Sequence, residues 1–207
     1  MEFFKKNWLK LVGIAALTVA GVFALVASIN AFCTAGSLNN IPEPIRAGMP
    51  FDAMTSQAMG GAFIYLAIFM SSLFIVTHLI MGMCCNKHKK FKSISFLVCS
   101  TVAMVMFIVG IALAADFLSS LDSAIDAARV TLNEAQTAYA ATGGVGMPLG
   151  GAEVQLAQAG LDAARTAYTV QIAQTLGHFI AFGFLPVAFA IKKVICSCKK
   201  DKEAVSE

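Results

Sequence analysis

The chain reads as an all-α integral membrane protein, a four-transmembrane-helix bundle with a long extracytoplasmic antiparallel helical hairpin extending from spans three and four. Three observations predict this fold. Apolar residues make up 58% of the sequence and charged residues 13%, with a mean hydropathy of +0.76, a composition far from that of a soluble domain. Four apolar stretches, 9–31, 60–83, 94–115 and 172–195, each reach the roughly 20 residues a helix needs to cross a hydrocarbon core at 1.5 Å rise per residue. The third stretch then continues past Ala115 with no Gly or Pro to stop it. Leu97, Ser100, Met104, Phe107, Ile111, Ala114, Leu118, Leu121, Ile125, Ala128, Leu132, Ala135 and Tyr139 recur at steps of three and four, a heptad seam that keeps its register from lipid into water.

Residues 1–31 form the N-terminus and span one. Lys5, Lys6 and Lys10 stand at its start, as in a signal peptide, but the apolar run exceeds the roughly 7–15 residues of a signal core. Cys33 follows the bulky Phe32, where a lipoprotein site needs a small residue, so the stretch is read as a retained span. Gly13, Ala16, Ala20, Ala24, Ala27 and Ala31 line one of its faces. Between helices in lipid, small residues permit the close backbone approach that association uses, so this face is expected to pack on a neighbour.

The loop 32–59 contains Pro42, Pro44 and Pro50, which break helices and favour extended or turn geometry, so its centre is expected to be irregular. Ile45, Met49 and Phe51 are too apolar for a free tether. Span two (60–83) carries Ser71, Ser72, Thr77 and His78, a sparse polar stripe. It is followed by a basic turn (84–93) and span three (94–115).

The segment 116–171 holds an internal echo: Ile125-Asp126-Ala127-Ala128-Arg129 returns as Leu161-Asp162-Ala163-Ala164-Arg165. The decade Thr142–Gly151, rich in Gly and Pro, marks a hairpin tip between two Ala-rich helical arms. Each arm would extend roughly 35 Å at 1.5 Å per residue. Leu118, Leu121, Ile125 and Leu132 on one arm face Val154, Leu161 and Tyr168 on the other. The tip glycines lack the Gly-Lys-Ser/Thr of a phosphate loop.

Span four (172–195) contains Pro186, expected to kink it, with Gly177 and Gly183 nearby. The tail 196–207 is lysine-rich. Charge sets the expected orientation. All twelve lysines lie at the N-terminus, between spans two and three, or at the C-terminus; against four acids they leave these segments at +8. Arg46, Arg129 and Arg165 share the other two loops with eight acids, leaving −5. By the positive-inside rule both termini are cytoplasmic and 32–59 and 116–171 face out. The lysines read as topology signals and contacts to anionic headgroups of membrane lipids, and nothing points to nucleic acid.

Cys84, Cys85, Cys196 and Cys198 fall at the cytoplasmic membrane edge. Inert thiols, reversible acylation and a four-thiolate metal site are the competing readings. The adjacent Cys84-Cys85 pair suits a metal poorly. His78 and His178 invite a haem, yet their depths in the two spans differ by roughly 20 Å at helical rise. No metal or cofactor is therefore expected. No acid pair, nucleophile triad or nucleotide signature supports an enzyme.

A small and a large outer loop with juxtamembrane cysteines resemble the tetraspanins in layout. The large outer loop here has no cysteine and so lacks the Cys-Cys-Gly signature of that family. The sequence points to a non-catalytic tetraspan scaffold or accessory subunit, acting through its outer hairpin on further copies of itself or on partner membrane proteins. The alternative is a subunit of an oligomeric channel or pore.

Overall fold

The computed structural model describes residues 2–42, 51–84, 89–141 and 148–205. These form α1 (Glu2–Asn39), α2 (Phe51–Cys84), α3 (Lys89–Ala141), α4 (Pro148–His178), a π-helical segment Phe179–Phe184, and α5 (Leu185–Val205). The described residues contain no strand. Four helical stretches are long and apolar enough to cross a membrane: Asn7–Asn39, Phe51–Met83, Lys92–Ala141 and Ala152–Cys196. Helix α1 has ended by Ile41 and Pro42, where a proline cannot continue the ladder. The rest of the proline-rich loop centre, 43–50, and the tip residues 142–147 lie outside the described residues. Helix α4 starts on Pro148, whose missing N–H costs nothing in a first turn.

The chain divides into two compact units, one of Met1–Ala114 with Leu176–Glu207 and one of Ala115–Thr175. In the first unit, successive contacts fix the helix directions. Phe32 meets Phe63 edge-on with ring centroids 5.8 Å apart, and Gly21 faces Ser72 and Phe69, so α1 and α2 run antiparallel. Gly60 abuts Gly110 and Ala114 while His78 stacks on Phe96 at 4.6 Å, so α2 and α3 also run antiparallel. Phe107 meets Phe179 at 6.2 Å and Phe96 meets Phe189 at 6.4 Å, reversing direction again for the last span. Ala24, Ile64, Ala67, Ile68 and Phe107 form the core of this bundle.

The hydroxyls of Thr18, Thr55, Thr77 and Thr101 donate to the carbonyl four residues back, which satisfies them inside an apolar helix. Ser28 instead crosses to the next helix, its Oγ donating to the Ala62 carbonyl at 2.9 Å. Leu9, Val12, Val19, Phe23 and Val26 of α1 stay exposed, as a lipid-facing surface requires.

The irregularity in the last span takes the form of a π turn. The Leu185 N–H donates to the Ile180 carbonyl, five residues back rather than four. One residue on, Pro186 has no N–H, and its ring would press on the carbonyl of Phe182 in an α-turn. Widening the turn ahead of the proline relieves that clash. Gly183 is buried there, with space for a Cβ only 3.2 Å from the Phe179 ring and 3.4 Å from Phe107.

The second unit consists of two helical arms, the 115–141 part of α3 and the 148–175 part of α4. Among the described residues Ile125, Leu132 and Leu161 are its buried apolar side chains, flanked by Ala128, Val154, Ala157, Ala164 and Tyr168. The two echo sequences differ in their polar partners. Arg129 Nη1 donates to Asp126 Oδ1 at 3.0 Å, an exposed pair of small energetic consequence. Asp162 accepts from Gln158 Nε2 at 3.1 Å on both oxygens. The position four residues before Asp126 is another acid, Asp122, which repels where Gln158 donates.

Candidate functional site

Two places on the molecule carry unsatisfied chemistry. The first is in the bundle, where the end of α2, the start of α3 and the middle of α5 come together through His78, Phe96, Phe189 and Lys193. Antiparallel packing brings every lysine with a described side chain in this unit, Lys10, Lys92, Lys192 and Lys193, to this one end. His78, six residues before the end of α2, contacts the Lys193 ammonium through Nε2. Lys193 also lies over the Phe189 ring, 4.9 Å from its centroid, a favourable cation–π placement. From α3, Lys92 Nζ donates to the Met81 carbonyl at 3.2 Å.

A lysine ammonium only donates, so His78 Nε2 must be the acceptor and the ring proton sits on Nδ1. That Nδ1 is buried and has no hydrogen-bond partner. His78 also lines a cavity of about 40 Å³, together with Phe74, Thr77, Met81, Lys92, Ser95, Phe96 and Cys99. Sequence reading placed His78 and the lysines at this edge but could not join His78 to Lys193, since 115 positions separate them. Ser71 and Ser72, deeper in the same helix, are also buried with unpartnered hydroxyls. His178 does not join this cluster, and no group of three or more metal-ligating side chains occurs among the described residues.

The second place is the surface of the arm unit. Of the expected contact residues, Ile125, Leu132 and Leu161 are buried between the arms, and Leu118, Leu121 and Tyr168 are half-buried. Off that seam Val130, Leu156 and Val170 remain exposed, Leu156 to 76%, and Tyr139 at the end of the seam is exposed as well.

No family model, no curated protein and no solved structure matches this chain. Functional reading therefore rests on its own residues.

The remaining sequence-selected positions fall as follows. On α1, Ala24 is buried, Gly13, Ala20, Ala27 and Ala31 are half-buried and Ala16 is exposed. The line that α1 buries also includes Gly21, Ser28 and Ala35. Gly13 has open space where a Cβ would be. Cys196 is exposed, Cys84 ends α2 and Cys198 lies within α5, while Cys85 is outside the described residues.

The closest helix approach was not selected by sequence reading. A Cβ on Gly60 would lie 2.6 Å from the Gly110 carbonyl oxygen, and one on Gly110 would lie 2.8 Å from that of Gly60. The available signal was Gly110 four residues before Ala114, a small-xxx-small pair, overshadowed by the longer run of small residues in span one.

Proposed function

We propose that this multi-pass membrane protein is a non-catalytic assembly subunit, and that its arms dock neighbouring copies or a partner membrane protein outside the cytoplasm. One observation carries this reading. Among its described residues the arm unit buries only the apolar side chains Ile125, Leu132 and Leu161, while Val130, Tyr139, Leu156 and Val170 stand exposed. Ordering each residue costs about 1–2 kcal/mol of backbone entropy, and an Ala-rich pair with so thin a core gains little to offset it. A neighbour covering the exposed side chains supplies the missing burial.

The orientation belongs to the same proposal. Lysines gathered at one end of the bundle match the cytoplasmic face under the positive-inside rule, which puts both termini inside and residues 116–171 outside. Charged rim groups such as Asp126, Arg129 and Arg165 would set the register of docking.

The second reading, a subunit of an oligomeric pore, draws on the unpartnered hydroxyls of Ser71 and Ser72. Both are buried within one bundle, so they line no open path and this reading ranks second. Particle mass in mild detergent tests the proposal: Leu156→Glu and Val130→Glu should reduce a larger particle to single chains. Conductance in reconstituted bilayers that is lost in Ser71→Ala would favour the pore instead.

A further inference from the structure

We propose that two copies of this chain pair through a second heptad face of α4, anchored by Leu156 and Val170, with their α4 helices parallel and in register. The inference rests on the proposed docking of the arms and names both the partner and the surface.

The face follows from spacing and exposure. Leu156, Ala163 and Val170 recur every seven residues on α4, and Ala152, Ala159, Thr166 and Ala173 recur between them. That is a second a/d seam, turned away from the one on which Leu161 packs with Ile125 and Leu132. All seven residues are exposed, Leu156 to 76% and Val170 to 47%. The other arm has no such seam. The echo that matches Ile125 with Leu161 puts Asp116, Ser123 and Glu134 of α3 where α4 has Ala152, Ala159 and Val170. The outer face of one arm is therefore charged and that of the other is not.

Charge and area select the occupant. The described arm residues hold six carboxylates against Arg129 and Arg165, so two copies repel across most of their arm surface. The second seam carries no charge, and a twofold pair sets its residues together with no like charges opposed. Asp162 flanks the seam, at a position that meets Ala167 of the other copy in a parallel pair. From Ala152 to Ala173 the helix rises about 30 Å, and a strip about 10 Å wide along it buries roughly 600 Å² over two helices. Stable complexes of free molecules bury about 1,200 Å² or more. So small an area does not hold a freely diffusing partner and suits chains already confined to one membrane, where the effective concentration is high. Copies of one chain insert in a bilayer the same way round and to the same depth, so their α4 helices run parallel with equal residues level.

The test uses the full chain in liposomes, cross-linked with a short bis-maleimide and compared with the wild-type chain, whose own thiols set the background. Leu156→Cys and Ala163→Cys should each raise the two-chain product about tenfold, as about 1.4 kcal/mol of preference for this face would give. Ser123→Cys and Ala127→Cys, exposed on α3, should stay at the wild-type level. Adding Leu156→Glu, which opposes two carboxylates at an exposed position, should abolish the product at Ala163→Cys. Ala163 lies midway between Leu156 and Val170, so an antiparallel pair would cross-link at Ala163→Cys and not at Leu156→Cys; that result overturns the proposal, as do equal yields on α3 and α4. A particle larger than one chain in mild detergent with no product at either α4 position would overturn this face and leave the docking of the arms standing. A particle of one chain with no product at any position would remove both.

Discussion

Gly60 and Gly110 touch backbone to backbone: a Cβ built on Gly60 would stand 2.6 Å from the Gly110 carbonyl oxygen and 2.8 Å from the Ala114 nitrogen. Helices in lipid gain no hydrophobic drive from pairing, so van der Waals contact at such crossings holds them together. Neither carbonyl nor amide can move aside as a flexible side-chain end would. Gly110→Ala and Gly60→Ala should each force α2 and α3 apart and cost about 1–3 kcal/mol, the range for overpacking. Gly61→Ala, with open space at its Cβ, should be neutral or stabilise by up to about 1 kcal/mol through helix propensity. Denaturation in mixed micelles checks the contrast, and equal effects at positions 60 and 61 would refute the crossing.

The buried serines of the bundle should respond with opposite signs. Ser28→Ala loses the bond to the Ala62 carbonyl and should cost about 0.6 kcal/mol, the average for interhelical bonds in membranes. Ser71→Ala and Ser72→Ala remove hydroxyls that have no partner and should leave stability unchanged or raise it. The same unfolding assay measures all three.

The arms should loosen without the bundle. Leu161 is 3% exposed and is one of three buried apolar side chains among the described residues of its unit, so Leu161→Ala should cost about 2–5 kcal/mol there. Hydrogen exchange should accelerate across 118–141 and 152–170 while amides near Ile64, Ile68 and Phe107 keep their protection. Uniform loss of protection would mean that the two units unfold as one.

What the sequence made legible follows from what periodicity encodes. Apolar runs of sufficient length picked out the four helical stretches that are long and apolar enough to cross a membrane. The seam from Leu118 to Leu132 ran on at steps of three and four, in keeping with the unbroken helix α3 (Lys89–Ala141). Periodicity says which face of a helix is apolar, not which helix it meets. Gly60 and Gly110 are single glycines in apolar runs, and neither names its partner. Likewise Lys193 is one lysine of a terminal cluster until α5 packs beside α2 and brings it to His78. Pro186 announced an irregularity, but whether its carbonyl conflict is relieved by a bend or by a π turn depends on packing such as that of Gly183 against Phe107.

Orientation can be read with the native thiols. Cys33, near the end of α1, and Cys196, near the lysine end, are both exposed, and the successive antiparallel pairings of α1 with α2, α2 with α3 and α3 with α5 put them at opposite ends of the bundle. In variants retaining one of the two, a membrane-impermeant maleimide applied to intact cells should label Cys33 and spare Cys196. The reverse pattern would invert the topology and place the arms in the cytoplasm.

In the proposed function the exposed apolar residues of the arms hold an assembly together, which particle mass in mild detergent tests most directly. The wild-type chain should run as a particle larger than the 21.8 kDa of one chain, after correction for bound detergent. Leu156→Glu with Val130→Glu, both at exposed positions outside the arm core, should leave helicity intact and reduce the particle to single chains. A wild-type mass of one chain with nothing bound, or a larger particle unchanged by the double substitution, would contradict the account.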